Sequence, residues 1–434
     1  MINFNNFKSK IISILEKPLF RGTLWMLGGR VIGIAMQAGY FVLIARRLGA
    51  ADFGMFMGVS ALGVILNPFS TLGSTDLLVR DISRDRSLFR ESWANALLTT
   101  AVSGSCLIIL ALLTALYIFP QKIPPLAILL ILASDLVGLA LWSLSSGALI
   151  AVGLLKKAAQ LQVCLNFSKL VAAILLVIGF EAANVLGWSI LYFFGNAITV
   201  LVGIFLVNKM VGLPGKPNLS KIKSNLNQGI YFSIGSSADV VNASIDKTML
   251  TSLGSANATG LYSAAYRLIE VAYLPLLSIF SSTYAKFFEQ GKTGISGTLA
   301  LAKRLVPVVI IYGIVACIGY WVFYPVIPYI LGEEYKASTP VLLWLSPMPF
   351  LIGMQWIAAD TLSGSGYQRI RGLITLFTAF FNVTINYFLI PIYSWKGATW
   401  ATLASDTIKT LLLWGAVAFF YQQQVRQSDL KQKK

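Results

Sequence analysis

The sequence predicts an all-α integral membrane protein of about twelve transmembrane helices, and three observations carry that prediction. Hydrophobic residues make up 56% of the 434-residue chain and charged residues only 12%, about half the roughly 25% of a soluble domain. Apolar runs of about 20 residues recur along the whole length, each long enough to cross about 30 Å of hydrocarbon as a helix. Basic residues gather in alternate connections, as a fixed orientation in a membrane requires. A soluble chain of this size could not cover so much apolar surface with so few charges.

Taken in order, residues 1–20 read as an amphipathic helix on the cytoplasmic lipid surface, with Phe4, Phe7, Ile11, Ile14 and Leu15 apolar and Lys8, Lys10 and Lys17 polar. No small-residue cleavage site follows it, so a cleaved signal peptide is not expected. Spans follow near 23–45, 54–76, 93–119, 125–152, 160–180, 184–207, 229–252, 258–285, 305–330, 339–362, 372–393 and 397–421. With a cytoplasmic N-terminus, the cytoplasmic segments carry 24 basic residues and the opposite loops 5. An odd number of helices would scramble that asymmetry, so both termini are expected in the cytoplasm. The net charge of +17 is then topology, and no nucleic-acid partner is implied. The expected domains are a six-helix lobe over 21–208, a basic cytoplasmic linker over 209–228, a second six-helix lobe over 229–421 and a basic tail over 422–434.

What the sequence lacks also narrows function. It contains no histidine, which removes His-based metal sites, catalytic triads and imidazole proton relays. Its three cysteines, Cys106, Cys164 and Cys317, are scattered among predicted spans and read as packing residues. No catalytic residue, metal ligand or cofactor is therefore expected. Every predicted outside loop is short, which leaves no water-facing domain for a glycosyltransferase, polymerase or ligase.

A weak internal repeat supports two similar halves. Leu48-Gly49-Ala50-Ala51-Asp52-Phe53-Gly54-Met55-Phe56 marks the turn after the first span. Leu253-Gly254-Ser255-Ala256-Asn257-Ala258-Thr259-Gly260-Leu261-Tyr262 marks the turn after the seventh. Both read Leu-Gly-small-small-polar and then Gly-apolar-aromatic, although hairpin turns favour Gly and Asn on their own account. Six helices per half in the same orientation predicts lobes related by a pseudo-twofold along the membrane normal.

Three stretches resemble Wzx-type (RfbX-like) polysaccharide flippases of the MOP (multidrug/oligosaccharidyl-lipid/polysaccharide) exporter superfamily. The first is Ala45-Arg46-Arg47-Leu48-Gly49 with Asp52-Phe53-Gly54, Leu72-Gly73 and Val79-Arg80-Asp81. The second is Ser244-Ile245-Asp246-Lys247-Thr248-Met249-Leu250, running on to Gly260-Leu261-Tyr262-Ser263-Ala264-Ala265-Tyr266-Arg267-Leu268. The third is Ile330-Leu331-Gly332-Glu333-Glu334-Tyr335. The resemblance implies a V-shaped central cavity between the lobes, opening to one side at a time. It implies as cargo an oligosaccharide repeat unit on undecaprenyl pyrophosphate, moved from the cytoplasmic to the periplasmic leaflet of a bacterial inner membrane. The partners it implies are the lipid-linked oligosaccharide, membrane lipids, a polysaccharide polymerase and glycosyltransferases.

Ionisable groups at membrane depth are costly, roughly 2.5–3.5 kcal/mol each on insertion scales, and face a cavity or a partner. The basic residues inside spans are Arg30, Lys169, Lys247, Arg267 and Lys409, and the deepest acidic ones are Asp135, Asp239, Asp246, Glu270 and Asp406. Arg267 and Glu270 are three apart, as are Asp406 and Lys409, a spacing that lets a pair neutralise itself on one helix face. Arg30, Lys169 and Arg267 are the expected cationic patch for a pyrophosphate or acidic sugar, guanidinium being the better bidentate donor. Arg30 has a second reading, snorkelling to the cytoplasmic interface. Asp239 is a candidate for exchanging a proton or sodium ion, or a structural partner of a base.

The spacings Gly29 to Gly33 and Gly54 to Gly58 read as close helix packing. Pro275, Pro307, Pro347 and Pro349 are expected to bend helices. Trp344, Trp356, Trp395 and Trp400 read as interfacial aromatics or as platforms for sugar rings. Two other classes stay open: a multidrug antiporter, which would favour an acidic and aromatic cavity, and a membrane-embedded assembly enzyme.

Overall fold

The hairpin predicted at Leu48-Gly49 appears in the computed structural model as a single break in the helical run Pro18–Thr71, where Gly49 adopts φ 70 and ψ 173. A Cβ is unfavourable at that φ, so glycine ends α1 (18–48) and lets α2 (50–71) fold back. The structure describes residues 18–119, 123–179 and 183–432. The predicted interfacial helix over 1–20 lies, up to residue 17, outside them.

After α2 come α3 (Phe89–Ile118), α4 (Pro125–Ala151), α5 (Leu155–Gly179), α6 (Val185–Met210) and α7 (Leu219–Met249). Then follow α8 (Ala256–Val271 with its continuation Tyr273–Gln290), α9 (Ile295–Phe323), α10 (Met348–Gly364), α11 (Gln368–Tyr393) and α12 (Trp395–Gln432). No strand occurs among the described residues. The all-helical, many-span architecture expected from composition is the one found. Two proline-associated bends are present: 43° between the two parts of α8 at Pro275, and 42° between Glu333–Leu345 and α10 at Pro347 and Pro349. Pro307 lies inside α9, which continues through it.

Two details depart from expectation. Residues 77–84, read as part of a basic loop, continue from the expected end of the second span as a short amphipathic helix, Ser74–Arg84, that buries Leu77, Leu78 and Ile82. Its apolar residues are too few to signal a span, yet they lie on one helical face. Eight helical runs among the described residues, with α1 and α2 as one run, are long and apolar enough to cross a membrane. The number rises to ten if the bent pairs at α8 and α10 each count as one span, and α7 is in neither group. Ser233, Ser237, Asp239, Asn242 and Asp246 make it polar along its length, as suits a helix facing polar neighbours and not lipid.

The chain folds as two units, one of Met1–Leu48 with Leu62–Ser237 and the other of Gly49–Ala61 with Ala238–Lys434. Helices α2 and α7 therefore each contribute to both. In the first unit, Leu78, Ile82, Phe89, Trp93, Leu144 and Val207 form a core in which the short helix is held by α3, α4 and α6. Trp93 stacks on Phe89 at 6.2 Å between centroids and donates its Nε1–H to Asn208 Oδ1 at 3.0 Å. Along α7, Ser233 and Ser237 donate to the α2 carbonyls of Pro68 (2.8 Å) and Ile65 (3.0 Å). Polar contacts and close packing do here what the hydrophobic effect does in water, because lipid is as apolar as the helices.

In the second unit, Leu276, Phe280, Phe287, Leu301, Val309 and Ile357 join α8, α9 and α10. Ile295, Ala358, Leu362, Leu413 and Val417 join α9, α10 and α12. The early part of α2 packs on α7 and α8 in this unit, with Thr248 Oγ1 donating to the Gly58 carbonyl at 3.1 Å.

Candidate functional site

The second unit encloses a cavity of about 490 Å³ walled by five helices, α7, α8, α10, α11 and α12. Three carboxylates (Asp239, Glu270, Asp406) and two bases (Arg371, Lys409) line it together with Asn242, Gln355, Thr375, Tyr266, Tyr273 and Trp356. Four of the predicted ionisable residues thus reach one chamber.

Each charged group is held by a neighbour. Lys409 Nζ lies 3.2 Å from Asp239 Oδ1, joining α12 to α7, with the lysine side chain 13% and the aspartate 54% exposed. The i,i+3 spacing had suggested Asp406 as the partner of Lys409. Instead Asp406 is buried and accepts from Gln355 Nε2 at 2.9 Å, while the long lysine side chain reaches across to α7. Arg267 Nη1 and Glu270 Oε2 do pair, at 2.6 Å, and of the two Glu270 lines the cavity. Arg371 Nη1 donates to Ser363 Oγ at 3.0 Å, and Asn242 Nδ2 donates to the Thr375 carbonyl at 3.2 Å. Trp356 meets Phe280 edge to face, centroids 5.4 Å apart, which fixes the indole in the cavity wall.

Two predicted residues stand behind the wall. Asp246 is 1% exposed and accepts from the Tyr262 hydroxyl, from Thr402 Oγ1 at 3.4 Å and from the Lys247 amide at 2.8 Å. Lys247 Nζ is 3.8 Å from Asp246 Oδ1, donates to the Ala243 carbonyl at 2.9 Å and sits 4.0 Å over the Tyr266 ring. This ammonium is thus held by a carbonyl, a carboxylate and a ring, and Tyr266 itself lines the cavity.

The remaining predicted residues belong to the first unit. Asp135 is fully buried in a one-turn π-helix, Ser134–Gly138, and accepts from the Tyr192 hydroxyl at 2.7 Å. Asn67 Nδ2 donates to the Asp135 carbonyl at 2.6 Å. Lys169 Nζ lies 5.1 Å over the Tyr192 ring, a cation–π contact. Arg30 is exposed on α1.

Sequence reasoning missed Arg371, counted as a loop base because it lies at the start of α11. It also missed Gln355, Tyr266 and Tyr273, because amides and tyrosines were not weighed beside the charged residues and tryptophans. Gln355 carried a usable signal: it is an amide in the middle of an apolar run, where an unpaired polar group costs several kcal/mol in hydrocarbon. Among the described residues, no group of three or more His, Cys, Asp or Glu side chains is placed to hold a metal ion.

This arrangement of helices is the fold of MOP-superfamily transporters. A multidrug-resistance MATE transporter in its inward-facing conformation aligns over 90% of this chain and 96% of its own, with a TM-score of 0.69 and 14% identity. An outward-facing MATE transporter aligns over 95% and 98%, with a TM-score of 0.61 and 15% identity. A MOP-superfamily transporter from Pyrococcus furiosus, described as having a binding pocket of reverse polarity, aligns over 92% and 96%, with a TM-score of 0.62 and 15% identity.

Within that fold, the chain belongs to the polysaccharide biosynthesis protein family, whose model matches residues 19–289. The match takes in two of the three stretches that carry the resemblance, those around Gly49 and Arg80 and around Asp246, and the third, Ile330 to Tyr335, lies beyond it. No curated protein matches the sequence at a significant level.

Proposed function

We propose that the protein carries a lipid-linked oligosaccharide across a bacterial inner membrane, from the cytoplasmic to the periplasmic leaflet, for polysaccharide assembly. The observation that supports this most is the lining of the 490 Å³ cavity, where carboxylates, bases, amides and a threonine stand beside Tyr266, Tyr273 and Trp356. Sugar rings are bound by that combination: directional donors and acceptors for hydroxyls, with flat aromatic faces for the C–H surfaces. Arg371 and Lys409 supply charge for phosphate or acidic sugars.

Transport proceeds by alternating access with both termini in the cytoplasm, and the protein performs no covalent chemistry. A proton or sodium gradient is the energy source, with Asp239 as the exchanging carboxylate. Lipid-linked oligosaccharide, the polymerase and the glycosyltransferases that build the cargo are its partners.

A second reading, efflux of an apolar cation, draws on the same three carboxylates and aromatic rings. Complementation separates the two. Expression in a flippase-null strain should restore surface polysaccharide, and Arg371→Gln and Trp356→Ala should each lower it at normal protein level. Drug resistance without restored polymer would overturn the proposal.

A further inference from the structure

Helix α8 has a second, opposite face that the polar cavity does not use. There, Leu268, Val271 and Pro275 meet Tyr312, Phe323 and Ile330 around an apolar groove of about 520 Å³. It is open at the surface of the protein, with Val271 54%, Phe323 68% and Ile330 43% exposed. From Tyr312 to Phe323 it follows α9 for about 16 Å at the α-helical rise.

Two backbone carbonyls at the bend are capped by tyrosines of the groove. The break in α8 diverts the Ala272 amide to the Ile269 carbonyl (3.0 Å), which leaves the Leu268 carbonyl without its i+4 donor. The Tyr320 hydroxyl donates to that oxygen at 3.1 Å, and the Tyr312 hydroxyl donates to the Ala272 carbonyl at 2.7 Å. Both tyrosines therefore spend their polar ends on the backbone at the bend and present ring to the groove. Exposed backbone carbonyls at membrane depth would otherwise repel a hydrocarbon ligand.

The same two turns of α8 carry Glu270 and Tyr273 into the polar cavity. A polar chamber and an apolar groove thus stand back to back across one helix, about 10 Å thick. The geometry points to the groove as the seat of the polyprenyl tail of the cargo, an inference that rests on the proposed transport of a lipid-linked glycan. A tail gains nothing from the hydrophobic effect on leaving lipid, so the groove acts by packing and by tethering. Once the head group, glycan or phosphate alone, occupies the cavity, the tail is held at high local concentration beside α8. The groove then orients it there and not along any other apolar face.

The test uses the full chain in proteoliposomes and undecaprenyl phosphate bearing a diazirine at the tail end. Crosslinked peptides should concentrate in residues 268–275 and 312–331. Excess unlabelled undecaprenyl phosphate should remove the label, and phosphatidylglycerol should not. Val271→Trp with Ile330→Trp, both at exposed positions, should lower labelling several-fold while leaving the protein's thermal stability unchanged. Equal labelling of the exposed faces at Ile178 or Leu201, equal competition by phosphatidylglycerol, or full labelling of the double variant would overturn the assignment. The probe has no glycan, so loss of labelling with intact complementation removes only the groove. Intact labelling with failed complementation removes the carrier reading instead.

Discussion

Gly54 and Gly260 face each other where α2 crosses α8, backbone against backbone. A Cβ on Gly54 would overlap the Ala256 carbonyl oxygen and stand 2.6 Å from the Gly260 nitrogen. A Cβ on Gly260 would overlap the Ala50 carbonyl oxygen. The two glycines hold corresponding positions in the internal repeat, Gly54-Met55-Phe56 and Gly260-Leu261-Tyr262. The repeated stretches therefore pack on one another, and each supplies the residue that lets the other approach.

Gly54→Ala and Gly260→Ala should each cost about 1–3 kcal/mol, the range for overpacking a close contact. The double variant should cost less than the sum, since the first methyl already parts the helices. Thermal unfolding of the purified protein gives all three values, and strict additivity would show that the two sites do not share a contact.

The pair Lys409–Asp239 is half-open to the cavity, which limits its worth to stability. Asp239→Asn should cost about 1 kcal/mol, as for an exposed ion pair. The exchange Asp239→Lys with Lys409→Asp should restore the melting temperature without restoring polymer at the cell surface. Recovery of both would reduce the pair to a strut between α7 and α12.

At Asp246 and Lys247 the balance is different, because both side chains are almost wholly buried. Asp246→Ala or Lys247→Ala should each destabilise by about 3–5 kcal/mol, the cost of stranding the other charge. Membrane levels followed by fluorescence-detected size exclusion should fall sharply. Asp246→Asn with Lys247→Met should recover much of the loss. A single alanine variant with a normal melting temperature would refute the assignment.

Tyr192→Phe removes the hydroxyl that Asp135 accepts from at 2.7 Å. The buried carboxyl then loses a donor, at a cost of about 1–3 kcal/mol. Adding Asp135→Leu should return part of that stability, since an apolar side chain has no such need. A melting temperature unmoved by Tyr192→Phe would mean that another donor takes over.

Much of this could be seen in the order of the residues. Leu48-Gly49 marked the hairpin because only glycine is at ease at φ 70, and Pro275 marked the bend in α8 because its ring removes a helix hydrogen bond. The short helix Ser74–Arg84 was hidden because eleven residues with four buried side chains give no span signal. Asp406 and Lys409 were legible as buried charges, and their partners were not, because partner choice depends on which helix stands opposite.

The sequence by itself determined that this chain lives in a membrane as a many-span helical protein, and which polar residues must find company there. Those follow from local costs, since every apolar run and every buried charge is priced by the bilayer whatever its neighbours. Only the tertiary structure decided that Asp239, Glu270, Arg371, Asp406 and Lys409 share one chamber, that Lys247 is sealed behind Tyr266, and that α8 divides a polar cavity from an apolar groove. Those depend on rotation and contact between helices far apart in the chain, which hydropathy along a single strand of residues does not encode.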